Sequence, residues 1–250
     1  MSRASRCFRI TGRLIKAAAL SAVFGVIIVL LWRIFSSGVP YDMKALTPND
    51  DLAKAYSEYG KDLYIFSQDQ KNITTAERNK GYFSIIDYKI IPEANQIQLV
   101  FRYNNSTIRK LAEDYSLATV PSVDDLLFDV SICLQTDLTP EDNTDNAGNI
   151  EGAVDYVRVK PQEELTVHGQ KTLYNYYRYV FDLGDAGVSL SELLDSGELL
   201  AVYADIYYNG DVDYEKTPYG TLCLYDYVSQ RQVYRLSGRD CKAIEKFSDK

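Results

Sequence analysis

The feature that most constrains this chain is the uncharged apolar run AAALSAVFGVIIVLLW, residues 17–32, set between Lys16 and Arg33. A helix of that composition has no polar face to offer water, so hydrocarbon suits it better than a half-solvated surface. The run alone would rise about 24 Å, somewhat less than a bilayer core of about 30 Å asks for. Ile34 and Phe35 extend it, and the long stems of Lys16 and Arg33 can carry their charges out to the interfaces. Trp32 suits an interfacial position. Arg3, Arg6, Arg9, Arg13 and Lys16 precede the run, and residues 1–35 contain no acid. By the positive-inside rule this predicts a cytoplasmic segment 1–16, a single-pass transmembrane signal anchor at 17–35, and an exported C-terminal body. The bilayer is then a partner through residues 17–35. Ser36, Ser37 and Gly38 would also suit a cleaved signal peptide, but Arg33 intervenes and the run exceeds most signal cores, which favours the anchor.

Charge sharpens the division. The chain sums to −8, so with +6 in its first 35 residues the remainder carries −14. Such a body repels phosphate backbones, and nucleic acid is excluded as a partner. Of the four cysteines, Cys7 falls on the cytoplasmic side, leaving Cys133, Cys223 and Cys241 exported. These allow one disulfide, with Cys223–Cys241 the preferred pair, or three free thiols. No CxxC pair supports a redox or zinc site.

Residues 36–81 read as a juxtamembrane linker with one short helix. Pro40, Pro48 and Gly38 discourage regular structure, Asn49 or Asp50 can cap, and Leu52, Tyr56, Tyr59 and Leu63 form one apolar stripe. From residue 82 the period becomes two. Ile97, Leu99, Phe101 and Tyr103 alternate with polar residues, as do Phe128, Val130, Ile132 and Leu134. Further strands are expected at 82–91, 154–159, 173–183, 199–208, 220–225 and 232–236, the last two as a hairpin. Helical insertions are expected at 104–117, with Thr107 as cap, and at 188–197, where Ser189 and Glu192 stand at capping-box spacing before Gly197. This order predicts a mainly β fold, an Ig-like antiparallel β-sandwich over 82–236, followed by a C-terminal tail at 237–250.

Catalytic chemistry finds little footing. The lone histidine, His168, sits beside Gly169 in an expected exposed turn, and neither a GxSxG elbow nor a P-loop occurs. The acidic stretch 141–151 fails the EF-hand spacing, and Asp211, Asp213 and Glu215 read as solvated. No cofactor or metal is expected. What remains is tyrosine, 21 in all. In LYNYYRYVF alternation sends Tyr177, Tyr179 and Phe181 inward and Tyr174, Tyr176 and Arg178 outward; in the next strand Tyr203, Asp205 and Tyr207 face out. Were the two strands neighbours, these six residues would share one exposed face suited to a protein or carbohydrate ligand. The expectation is a membrane-anchored extracytoplasmic binding or structural module without catalysis. An envelope hydrolase using dispersed carboxylates, and a regulatory sensor subunit, are the alternatives.

Overall fold

The computed structural model describes residues 3–67, 83–122, 127–137, 154–211, 218–226 and 233–249. The chain divides into two compact units, one of Met1–Gly38 with Lys171–Leu173, the other of Val39–Gln170 with Tyr174–Lys250. In the first, helix α1 runs unbroken over Arg3–Ser37. Its described side chains, from Lys16 to Trp32 and at Phe35, are all exposed. Among the described residues, no helix is long and apolar enough to cross a membrane.

The second unit is mainly β and carries two antiparallel sheets. Strands β1 (Tyr64–Phe66), β2 (Phe83–Ile91), β3 (Gln96–Asn104), β4 (Phe128–Asp137), β5 (Val154–Val159), β6 (Val167–Gln170), β7 (Tyr174–Asp182), β8 (Leu199–Tyr208), β9 (Gly220–Asp226) and β10 (Val233–Arg235) follow in chain order. One sheet is ordered β10-β1-β2-β3-β7-β6 and the other β5-β4-β8-β9. Period two explains which faces meet. Phe128, Val130, Ile132 and Leu134 are buried in one core with Ile97, Leu99, Phe101 and Tyr103 from the first sheet, as their alternation predicts. Tyr177, Tyr179 and Phe181 of β7, and Val202, Ala204 and Ile206 of β8, enter the same core. The Phe128 ring lies 5.5 Å from Phe101, 5.3 Å from Tyr103 and 6.3 Å from Phe83, joining the sheets.

Strand β2 contains a feature that simple alternation does not foresee. Its register against β3 shifts between Ile85 and Asp87, so Ile86 is an extra residue. Phe83 and Ile85 before the bulge and Tyr88 and Ile90 after it therefore all reach the core. Asp87 and Lys89 are turned to the outer face.

Helices α2 (Asp50–Tyr59), α3 (Asn105–Asp114), α4 (Leu190–Ser196) and α5 (Gly238–Ser248) lie between or beyond the strands. Asn49 caps α2, accepting from Leu52 N–H at 2.9 Å, and Ser189 caps α4, which ends at the left-handed Gly197. On α3 the cap is Asn104, with Thr107 completing the box from the third position. Asn104→Ala is expected to cost about 1 kcal/mol in chemical unfolding. Loss of nothing measurable there would mean that the helix is held by Ile108 and Leu111 alone.

Several expectations need correction. The segments 220–225 and 232–236 do not form a hairpin: β9 pairs with β8 in one sheet and β10 with β1 in the other. The expected tail, 237–250, holds α5, whose Ser237 and Asp240 form a capping box and whose Ile244 is buried. His168 lies in strand β6 rather than in a turn, exposed and stacked on Tyr177 at 4.7 Å. Cys133, Cys223 and Cys241 are free thiols, so the preferred Cys223–Cys241 disulfide does not form.

Candidate functional site

The tyrosine-bearing strands point as alternation predicts but do not adjoin. Strand β7 pairs with β3 and β6, whereas β8 pairs with β4 and β9. Tyr174, Tyr176 and Arg178 therefore lie on the outer face of the six-stranded sheet, and Tyr203, Asp205 and Tyr207 on that of the four-stranded one. A single six-residue platform is not present. The sequence could not reveal this, because alternation fixes a side chain's face and leaves the strand's sheet undetermined.

The first of these faces is covered by the chain itself. Residues 39–49 cross it as a strap. Met43 is fully buried and clusters with Val100 and with Tyr176, itself fully buried. Arg178 donates to the carbonyl of Ala45. Thr47 and Gln98 exchange two hydrogen bonds, Thr47 N–H to Gln98 Oε1 at 2.9 Å and Gln98 Nε2 to Thr47 O at 2.7 Å, much as a paired strand would. Leu46 N–H donates to Asp240 Oδ1 at 2.8 Å, and Asn49 Nδ2 to Asp182 Oδ2 at 3.2 Å. Of Tyr174, Tyr176 and Arg178, Tyr174 alone keeps partial exposure, with the partly exposed Arg102 guanidinium 4.4 Å above its ring.

Beneath the strap lie two cations and two acids. Lys89 Nζ bonds both oxygens of Asp240, at 3.0 and 3.1 Å. Burial pulls Arg178 down to about 10, against the opposing pull of Asp87 and Asp240, so it stays charged at neutral pH. Burial raises Asp87, countered in part by Lys89 and Arg178. Asp240 ends below its ordinary value: burial pushes it up, but Lys89, Ser237 and the Leu46 amide outweigh that push. Lys89 and Asp240 are paired, as buried charge requires, Arg178 is met by the Ala45 carbonyl, and these contacts fasten chain to chain.

The face of β5-β4-β8-β9 is built differently. Arg158 of β5 reaches over β4 to donate from Nη1 to Ser131 Oγ at 2.9 Å and to Asp205 Oδ2 at 3.2 Å. From the other side Thr221 Oγ1 donates to Asp205 Oδ1 at 2.9 Å. Asp205 thus holds a guanidinium and a hydroxyl in fixed geometry, and the guanidinium lies 5.5 Å from the Tyr207 ring centre. Tyr207 and Asp205 are buried, while Tyr203, Arg158 and Thr221 are partly exposed. Cys133 lies opposite Tyr203 in the β4–β8 register. Its thiol is pushed up by burial and then by Asp205, and a thiol so placed remains protonated and unreactive at neutral pH.

No known family, curated protein or solved structure matches this chain. Its chemistry has to be read from the residues themselves. Next to the Arg158 face, where the chain crosses from β5 to β6, lies a cleft of about 450 Å³ with Phe128, Tyr179, Asp129, Lys160 and Glu163 on its walls. Lys160 and Asp129 stand 3.9 Å apart. The Tyr179 hydroxyl donates to the Phe128 carbonyl at 3.5 Å, and burial raises it well above its ordinary value. Among the described residues, no group of His, Cys, Asp and Glu is placed to hold a metal ion. The acidic stretch 141–151 lies outside the described residues, as do Asp213 and Glu215.

The sequence points to Tyr203, Asp205 and Tyr207 but not to Arg158, Ser131 and Thr221, whose hydrogen bonds fix Asp205 in place. A signal existed for Arg158, since VDYVRV alternates and places a cation on a strand's polar side. Which carboxylate it would meet depends on β5 pairing with β4 and β4 with β8, and that is tertiary information.

Proposed function

We propose that this protein is a membrane-anchored extracytoplasmic binding module that acts without covalent chemistry, with the outer face of β5-β4-β8-β9 as its ligand side. The observation that carries this reading is the contrast between the two outer faces. One is taken up by the strap, while the other holds Arg158 in place through Ser131 and Asp205 beside the partly exposed Tyr203. Tyrosine and arginine held rigid lose little entropy on binding and dominate protein interfaces, so a protein partner fits best and a glycan is the other outcome of the test.

The anchor rests on the apolar run 17–32, the cations before it, and a helix that continues over Arg3–Ser37 with its described side chains exposed. The Ig-like assignment rests on strand order. Lettered along the chain from β2, the sheets read A-B-E-D and C′-C-F-G, with β1 and β10 added at the A edge.

Two experiments test this reading. A reporter fused after Lys250 is expected to be active only in its exported-side form; activity of a cytoplasmic reporter overturns the anchor and its orientation. Once a partner is captured from membrane extract, Tyr203→Ser is expected to weaken its binding at least about tenfold, roughly 1.4 kcal/mol, with the unfolding midpoint little changed. Parental affinity in a folded Tyr203→Ser variant removes this face as the site.

A further inference from the structure

We propose that the solvent face of α5, together with Tyr41, is a lipid-headgroup surface that docks the domain on anionic phospholipid at the membrane holding α1. The proposal rests on the reading of α1 as an anchor. Arg239, Lys242 and Lys246 are all exposed, and their spacing of three and four brings them within about 60° of one another around the helix. Cys241 and Ile244, on the opposite side, are buried in the same cluster as Leu52 and Leu63. Tyr41 is 78 % exposed, and the Arg239 guanidinium lies 5.6 Å from its ring centre. A cation beside an open tyrosine ring is the pairing that headgroup phosphates and the glycerol region accommodate.

Two further observations single out the bilayer as the occupant. The first is chain length. Helix α1 ends at Ser37, and the four residues from there to Tyr41 span at most about 14 Å, so this surface is tethered within reach of the interface. The second is charge. Beyond residue 35 the chain carries −14, so an anionic membrane repels most of it and accepts the side where cations cluster. Lys44 is exposed one turn from Tyr41. The acids on the same two segments are Asp42, Asp240, which is buried and paired with Lys89, Glu245, which accepts from the Tyr56 hydroxyl at 2.9 Å, and Asp249.

The test uses the full chain in lipid nanodiscs, zwitterionic or containing anionic phospholipid, with lysine acylation rates read by mass spectrometry. Lys242 and Lys246 are expected to react at least about fivefold more slowly in anionic discs, the difference collapsing at high salt as headgroup attraction is screened. Lys160, in the cleft beside the Arg158 face and not on α5 or the strap, serves as the unaffected control. Tyr41→Ser is expected to reduce the protection without altering the unfolding midpoint. Equal acylation in the two lipids, from chain that stays with the discs after an alkaline wash, overturns this proposal and leaves the anchor standing. Chain that washes off overturns both.

Discussion

Asp240→Ala is expected to destabilise the domain by about 3–5 kcal/mol in urea unfolding, because it removes one partner of a buried ion pair and strands the other. Lys89 would lose its carboxylate at 3.0 Å. Leu46 N–H would lose its acceptor, and α5 would lose the half of its capping box that accepts from Ser237 N–H and Oγ. One side chain thus serves β2, the strap and α5 together. The double variant Lys89→Met, Asp240→Leu is expected to recover part of the loss, since an apolar pair of similar volume strands no charge. A cost below about 1 kcal/mol for Asp240→Ala would mean that strap and helix hold by packing alone. The pH dependence has a definite sign. Because the folded-state value of Asp240 lies below the ordinary 3.8, its contribution is present above that value and is lost as the pH falls through the lower, folded one. Acid unfolding of the parent is therefore expected to steepen below about pH 4, and Asp240→Asn to flatten that limb.

The second large effect is expected at Phe128→Ala, about 3–5 kcal/mol by the same measurement. Phe128 stands on β4, yet Phe83, Phe101, Tyr103 and Tyr219 all lie within ring-contact distance of it. Truncation opens a cavity that three aromatic rings on paired strands, with Tyr219 just before β9, cannot collapse to fill, so the cost exceeds simple transfer. The denaturant slope should stay the same, because the surface exposed on unfolding barely changes. A loss under about 1 kcal/mol would show that the two sheets do not share this core.

Local pattern carried much of this fold, and tertiary pairing decided the rest. Strand β8 begins and ends at Leu199 and Tyr208 as read from LLAVYADIYY, and the inward set of β4 is the expected one. Both rest on period two, which is a property of the strand alone. Strands β1 and β6 escaped notice because three or four residues are too few to show a period. The Ile86 bulge hid because a run of two isoleucines reads equally well in either register. Helix α5 has a legible start in Ser237-x-x-Asp240, the capping-box spacing, but its alternating acids and bases resemble a solvated tail. Tyr176 and Arg178 were correctly turned outward, but outward is exposed only when nothing lies on top. The strap comes from more than 120 residues earlier in the sequence, a non-local contact that no local pattern announces.

That strap also sets an order of events. The bond from Leu46 to Asp240 spans 194 positions, and β1 likewise waits for β10, Tyr64 pairing with Arg235. A chain made from its N-terminus can complete β2 to β9 and seat Asn49 on Asp182 and Ala45 on Arg178 while Leu46 N–H and Lys89 still lack Asp240. Until residue 240 emerges, the Leu46 amide has no acceptor and the Lys89 ammonium no carboxylate. Nascent protein should therefore pass through a vulnerable interval, open to proteases and to holding chaperones, that ends when the last helix arrives.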